Sequence, residues 1–204
     1  MCGRYALFRW DAAFAALPGF PAGLDPRWNL APGAQVVLLR AGAESRELLM
    51  ARWGLTPAWI TDFSRTPAHA RAETVEEQPM FREAFRLRRG LLPANGFYEW
   101  RGVRKRPYWI SSDQRILFMA ALWECYPAHG QDYHSVAVIT RPAASLRRPI
   151  LLDEAGARDW IDPATPIERL RELLAAPGLS LRERALATFV NDPNLDAPEC
   201  LTPA

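Results

Sequence analysis

Lysine is nearly missing from this chain. Lys105 is the only one, although Lys and Arg together number 25. Imine chemistry on a carbonyl is therefore confined to Lys105 or to the terminal amine. The arginine surplus suits planar, bidentate recognition of phosphate, but a GC-rich coding sequence raises arginine equally well, and the net charge is only +2. Cysteine is also scarce. Cys2, Cys125 and Cys200 form no CxxC pair and no even-numbered framework, so free thiols are expected rather than a disulfide scaffold. Cys125 with His129 and His134 is too loosely spaced for a metal site and lacks a fourth ligand, so no metal is expected. The longest apolar run, Ile116 to Trp123, is far short of the ~18 residues of a membrane span. No apolar stretch of signal-peptide length stands near Met1, so a cytoplasmic protein without membrane attachment is expected.

What is present fits one folded unit. A chain of 204 residues, 49% hydrophobic and 24% charged, is expected to be a single domain over 1–204 and a monomer. Eighteen prolines distributed along it argue against a helical bundle. Apolar or period-two runs predict strands near Arg4–Phe8, Val36–Leu39, Leu48–Trp53, Leu91–Trp100, Pro107–Ile110, Ile116–Trp123, Ser135–Thr140 and Pro149–Leu152. Helical spacing predicts helices over Asp11–Leu17, Val75–Arg88, Glu154–Trp160 and Pro166–Ala175, the last with Thr165 as cap and Pro166 in the first helical position. Short strands with peripheral helices imply an α+β fold with a mainly antiparallel sheet core. The long link from Gly54 to Thr74 reads as an ordered functional loop, and the basic stretch Arg101 to Arg106 as a solvated hairpin tip.

Chemistry is concentrated at the start. Once Met1 is removed, Cys2 carries a thiol of pKa about 8.5 and an α-amine of pKa about 8 on adjacent carbons. Such an aminothiol traps an aldehyde: the amine condenses to an imine with loss of water, the thiol adds to it, and a thiazolidine ring closes. The same terminus serves equally as an acyl-transfer nucleophile with its own amine as base, the reading of a glutamine amidohydrolase.

Further segments accompany Cys2. They are Trp28-Asn29-Leu30-Ala31-Pro32-Gly33, Arg52-Trp53-Gly54-Leu55-Thr56-Pro57-Ala58-Trp59, Ala70-Arg71-Ala72-Glu73-Thr74, Pro93 to Trp100 containing Phe97-Tyr98-Glu99-Trp100, Arg147-Arg148-Pro149-Ile150-Leu151-Leu152, and Phe189-Val190-Asn191-Asp192-Pro193. In order and spacing the set resembles the SRAP (SOS response-associated peptidase) family over nearly the whole chain. The amidohydrolase reading leaves these segments unexplained.

The resemblance implies a partner, single-stranded DNA containing abasic sites, and a covalent thiazolidine between Cys2 and the ring-opened sugar. It also implies that the mainly antiparallel β core is barrel-like and flanked by short helices, with self-removal of Met1, neither metal nor organic cofactor, and a protein on the nucleoid when DNA-bound. Cys2 is then the nucleophile. Glu99 is the active-site carboxylate, expected among aromatics to have a raised pKa and to shuttle protons. Arg4, Arg71 and Arg147 are expected at phosphates, and Asn29, Pro32 and Trp59 at the lesion, with Trp59 stacking on a base. Two positions depart from the family. His69 replaces its asparagine, and Ser145 stands where its catalytic histidine is found. Two outcomes follow: His69 takes over proton transfer, or the chain is a non-covalent lesion binder with altered chemistry.

Overall fold

The computed structural model describes residues 3–144 and 146–204. Met1, Cys2 and Ser145 lie outside them. In chain order the elements are β1 (Arg4–Leu7), α1 (Ala12–Ala15), β2 (Arg27–Leu30), β3 (Gln35–Ala41), β4 (Arg46–Trp53), β5 (His69–Arg71), α2 (Arg82–Leu87), β6 (Arg89–Ala94), β7 (Gly96–Arg101), β8 (Arg106–Ser111), β9 (Leu117–Ala128), β10 (Gln131–Ala143), β11 (Leu146–Pro149), β12 (Leu151–Leu152), α3 (Glu154–Ile161), α4 (Ile167–Ala175) and β13 (Arg182–Ala185). Two short 3-10 turns, Thr188–Asn191 and Pro198–Leu201, follow.

Five strands close a ring in the order β10, β4, β3, β6, β9 and back to β10. Closure leaves the ring without a free edge. Its pairings are antiparallel except β10 with β4, so the fold is α+β with a mixed but mainly antiparallel barrel. Leu38, Leu39, Leu91, Leu92, Met119 and Ile139 belong to the buried core built on it. A second sheet runs β13-β8-β7-β1-β2.

The two sheets share one stretch of chain. Leu91–Trp100, expected as one strand, breaks at Asn95 into β6 of the barrel and β7 of the second sheet. The Asn95 carboxamide explains the break: Oδ1 accepts from the Phe8 and Arg9 amides at 2.7 and 3.0 Å, and Nδ2 donates to the Arg9 and Arg115 carbonyls at 2.9 and 2.8 Å. Gly96 follows because a Cβ there would lie 2.4 Å from the Trp109 ring and 2.5 Å from the Ile110 carbonyl oxygen.

Other boundaries moved for local reasons. The helix expected over Val75–Arg88 is helical only from Arg82, because Pro79 disfavours helical backbone at Gln78 and the chain from Thr74 makes successive turns instead. Pro149–Leu152 is split between β11 and β12. Pro166 caps α4 from outside it, and the Thr165 hydroxyl donates to the Asp159 carbonyl at 2.6 Å rather than capping the helix. The predicted hairpin tip at Arg101 to Arg106 is the β7–β8 turn.

Candidate functional site

The site is built where β1, β7 and β11 approach one another. β1 begins beside the end of β7 that carries Glu99, since Arg4 pairs with Tyr98. β8 holds β7 on its other side and carries β13, which brings Glu183. β11, folded back on β10, brings Arg148. Glu99 is only 2% exposed. Its Oε1 accepts from Arg148 Nε at 2.6 Å; its Oε2 accepts from Arg148 Nη2 at 3.1 Å, from Arg101 Nε at 3.0 Å and from Arg101 Nη2. Both arginines also reach Glu183, at 2.7 and 2.6 Å. Two carboxylates and two guanidiniums thus form a closed, charge-balanced quartet.

This corrects the expectation of a raised pKa at Glu99. Burial does push the carboxyl up, but the hydrogen bonds and charges of Arg148 and Arg101 outweigh it and hold the group below its ordinary value. Glu183 is drawn down to about 2 by the same arginines. At neutral pH Glu99 is an anion fixed in orientation, able to hold an ammonium. It is not a standing acid. A cavity of about 450 Å³ opens here, lined by Glu99, Trp100, Arg101, Lys105, Arg148 and Glu183. The single lysine therefore faces the same space as the carboxylate.

On the other side of β10 lies β5, with His69 opposite Val138 and Arg71 opposite Thr140. The His69 ring packs edge-on to Trp53, centroids 5.5 Å apart. His69 and Arg71 line a second cavity of about 660 Å³ with Thr66, Gln78 and Phe81. Arg71 is exposed, as its expected phosphate role requires. Glu99 lines the first cavity and His69 the second. Arg147 links the two walls: its guanidinium donates to Thr140 Oγ1 and the Thr140 carbonyl at 3.2 and 2.7 Å and makes a bidentate pair with Glu73 at 2.7 and 2.6 Å. Glu73 is held at about 2 by that pair. Most of the five N–H donors of Arg147 are thereby engaged within the protein. It braces the wall between them.

Asn29 is likewise engaged within the protein. It is 6% exposed, its Nδ2 donates to the Asp192 and Leu195 carbonyls at 3.1 and 2.7 Å, and its Oδ1 accepts from Arg4 at 3.3 Å. Arg4 also donates to the Val190 carbonyl and lies over the Trp100 ring, 5.2 Å from its centroid. Both residues clip the second sheet to the Phe189–Pro193 segment, which accounts for that motif. Trp59 and Pro32 are exposed, as stacking at a lesion demands; Trp59 is 57% exposed, which removes it from the core. The loop that presents Trp59 is pinched at its base by Leu55 N to the Pro67 carbonyl, 2.9 Å, and by the Trp53 indole to the Ala68 carbonyl, 2.8 Å. Gly54 is required at the neck. Its φ is +149°, and a Cβ would sit 2.7 Å from Arg52 Nη1 and 3.2 Å from the Thr66 carbonyl.

Sequence reasoning named Arg147 and passed over Arg148, Arg101 and Glu183. Strand alternation was the available signal: neighbours on β11 face opposite ways, so the two arginines could not serve one site.

A family model described as SOS response associated peptidase (SRAP) matches residues 1–193. The chain belongs to the SRAP family. This SRAP chain is 29% identical to abasic site processing protein YoqW of Bacillus subtilis over 221 residues, covering 98% of this chain and 99% of that protein. It is 30% identical to abasic site processing protein YedK of Escherichia coli over 179 residues, 79% of each chain. Among solved structures, a protein from Bacteroides thetaiotaomicron superposes over the full length of both chains with a TM-score of 0.85 at 22% identity. A phage-related protein from Bordetella bronchiseptica superposes with a TM-score of 0.73 at 28% identity, covering 91% of this SRAP chain and 94% of its own. Among the described residues no helix is long and apolar enough to cross a membrane, and no cluster of three His, Cys, Asp or Glu side chains suits a metal ion.

Proposed function

We propose that this protein processes abasic sites in single-stranded DNA, joining the terminal aminothiol of Cys2 to the ring-opened sugar aldehyde. The observation that carries the reading is the Glu99 quartet at the beginning of β1, within a chain that matches named abasic site processing proteins end to end. The amine of Cys2 attacks the aldehyde carbon, water leaves as the imine forms, and the thiol adds across it. The adding thiol returns its proton to the nitrogen, so the thiazolidine closes without an oxidant or reductant. Glu99, an anion fixed by Arg148 and Arg101, orients the amine as an ammonium until the sugar arrives. Arg71 holds a phosphate and Trp59 stacks beside the lesion. His69 carries the proton to the sugar oxygen in place of the histidine that Ser145 replaces. Self-removal of Met1 precedes all of this.

Intact mass spectrometry of the full chain, with and without an oligonucleotide carrying an abasic site, tests the reading. The expected result is a mass lacking Met1 that gains the oligonucleotide minus one water. Cys2→Ala keeps a terminal amine but loses the thiol, so its heat-stable adduct should vanish. An equally stable, unreduced adduct in Cys2→Ala refutes thiazolidine closure. A protein that binds the lesion without any mass gain is instead the non-covalent binder that the loss of the family histidine predicts.

A further inference from the structure

A third cavity, of about 710 Å³, lies between loop 54–68 and the tip of the β9–β10 hairpin. Its volume falls within the ~300–1,000 Å³ typical of small-ligand sites. The walls carry Met50, Phe63, Tyr126 and Tyr133, with Arg52 and Asp132 as charged groups. Phe63 is 55% exposed and Tyr133 50%. Of the seven large hydrophobic side chains exposed among the described residues, Met50, Trp59, Phe63 and Tyr133 all lie on β4, this loop or this hairpin. Single exposed apolar residues need no explanation; a concentration of four on adjoining segments marks a binding surface.

The rings are placed, not loose. Tyr126 and Tyr133 are direct partners across the hairpin, so both project from one face. Phe63 packs edge-on to Tyr126, centroids 5.3 Å apart and planes at 73°. The hairpin turns through His129 and Gly130, with φ of +52° and +74°. Turns of this kind favour Asn-Gly or Gly-Gly, so histidine in the left-handed region is held at some conformational cost, and it stands on the rim of the cavity.

The cavity adjoins the second one described above. Thr66 lines both it and the cavity that holds His69 and Arg71. A strand gripped at Arg71 has a path along loop 62–67, past Arg65, to the hairpin. The lining also fits a base better than an apolar peptide. Aromatic faces meet a flat π system, while Arg52 donates and Asp132 accepts at its edge; a purely apolar occupant would leave both charges unanswered. We infer that this cavity takes an unstacked nucleobase of the single strand flanking the lesion, stacked on Tyr133 and Phe63. The inference rests on the single-stranded DNA reading above and adds a second anchoring point to it.

The test uses the full chain and fluorescent oligonucleotides carrying an unreactive tetrahydrofuran abasic analogue, read by anisotropy. One oligonucleotide has one nucleotide on each side of the analogue, another about six, and a third keeps the longer backbone but lacks the flanking bases. Wild type should bind the longer base-bearing strand more tightly than the other two. Tyr133→Ala should lose that gain, about tenfold against the ~5–150-fold that one base–ring stack is worth, and bind the short strand unchanged. Tyr133→Phe should retain it, and Phe63→Ala should repeat the loss. Equal affinity of Tyr133→Ala and wild type for the longer strand overturns the nucleobase site, as does a wild type indifferent to removal of the flanking bases. Failure of wild type to bind even the short strand is a different result, and overturns the DNA reading on which the site depends.

Discussion

Arg148→Met is the sharpest probe of the buried quartet. Methionine keeps the apolar stem and removes a guanidinium that donates twice to Glu99 and once to Glu183. Glu99 is 2% exposed, so solvent reaches it only through the cavity it lines. Orphaning a buried charge completely costs about 3–5 kcal/mol, but Arg101 stays on Oε2, so the expected cost is about 2 kcal/mol. For a chain of this size that is a fall in Tm of about 4–8 °C. The pH dependence separates this account from a simple packing loss. In wild type the lowered pKa of Glu99 contributes stability that is present above the unfolded carboxyl value and lost as pH falls through the folded one. In the variant, burial acts with one arginine fewer against it, so the Glu99 pKa rises and protonation relieves the buried charge. The difference in Tm, followed by circular dichroism, should therefore be largest near pH ~7.5 and narrow towards pH ~4.5, the ordinary carboxyl range. A difference that is constant across that range, or below about 1 °C throughout, refutes the electrostatic account of the quartet.

Asn29→Ala should destabilise by about 1–3 kcal/mol, because the Asp192 and Leu195 carbonyls lose their donor, and chemical denaturation with an unchanged m-value would report it. Arg71→Ala should weaken DNA binding alike across sequences and lower the salt slope by about 1, whereas Arg147→Met should lower Tm with the slope intact; paired salt titrations decide between them. Trp59→Ala should cost ~1–3 kcal/mol of affinity for lesion-bearing strands with no loss of Tm, its ring being mostly in solvent. Glu73→Gln should flatten the acid limb of stability: Glu73, held at about 2 by Arg147, gives wild type stability that is complete above the ordinary glutamate range and is lost as pH falls towards 2, a window read directly by melts in acid.

The strands of the barrel were legible because β3, β4, β6, β9 and β10 carry buried aliphatic residues whose period needs no partner to be seen, whereas their closure into a ring was implied only by the family resemblance. β2, β5 and β13 were not. They are three or four residues long, carry Arg, His, Asn or Glu, and exist because a neighbouring strand offers an edge. Arg71 and Trp59, singled out by their motifs, are exposed. Asn29 and Arg147 were identified by motif, but a sequence cannot show that each side chain is also bonded within the protein to carbonyls or a carboxylate far along the chain. The depressed pKa of Glu99 was hidden for the same reason: its partner on β11 is 49 residues away.

The clip between the two ends of the sequence also bears on synthesis. Arg4 waits for the Val190 carbonyl, 186 residues later, and the Trp28 and Asn29 amides wait for the Asp196 carboxylate at 2.5 and 3.0 Å. Ribosomes add ~5–20 residues per second, so the first strand is exposed for about 10–40 s before its last partner emerges. During that interval β1 and β2 lack their fastening and Glu99 lacks Glu183. A nascent chain therefore holds Glu99 without the full set of partners that fix its charge and orientation, and the quartet is completed late, only once β13 has emerged.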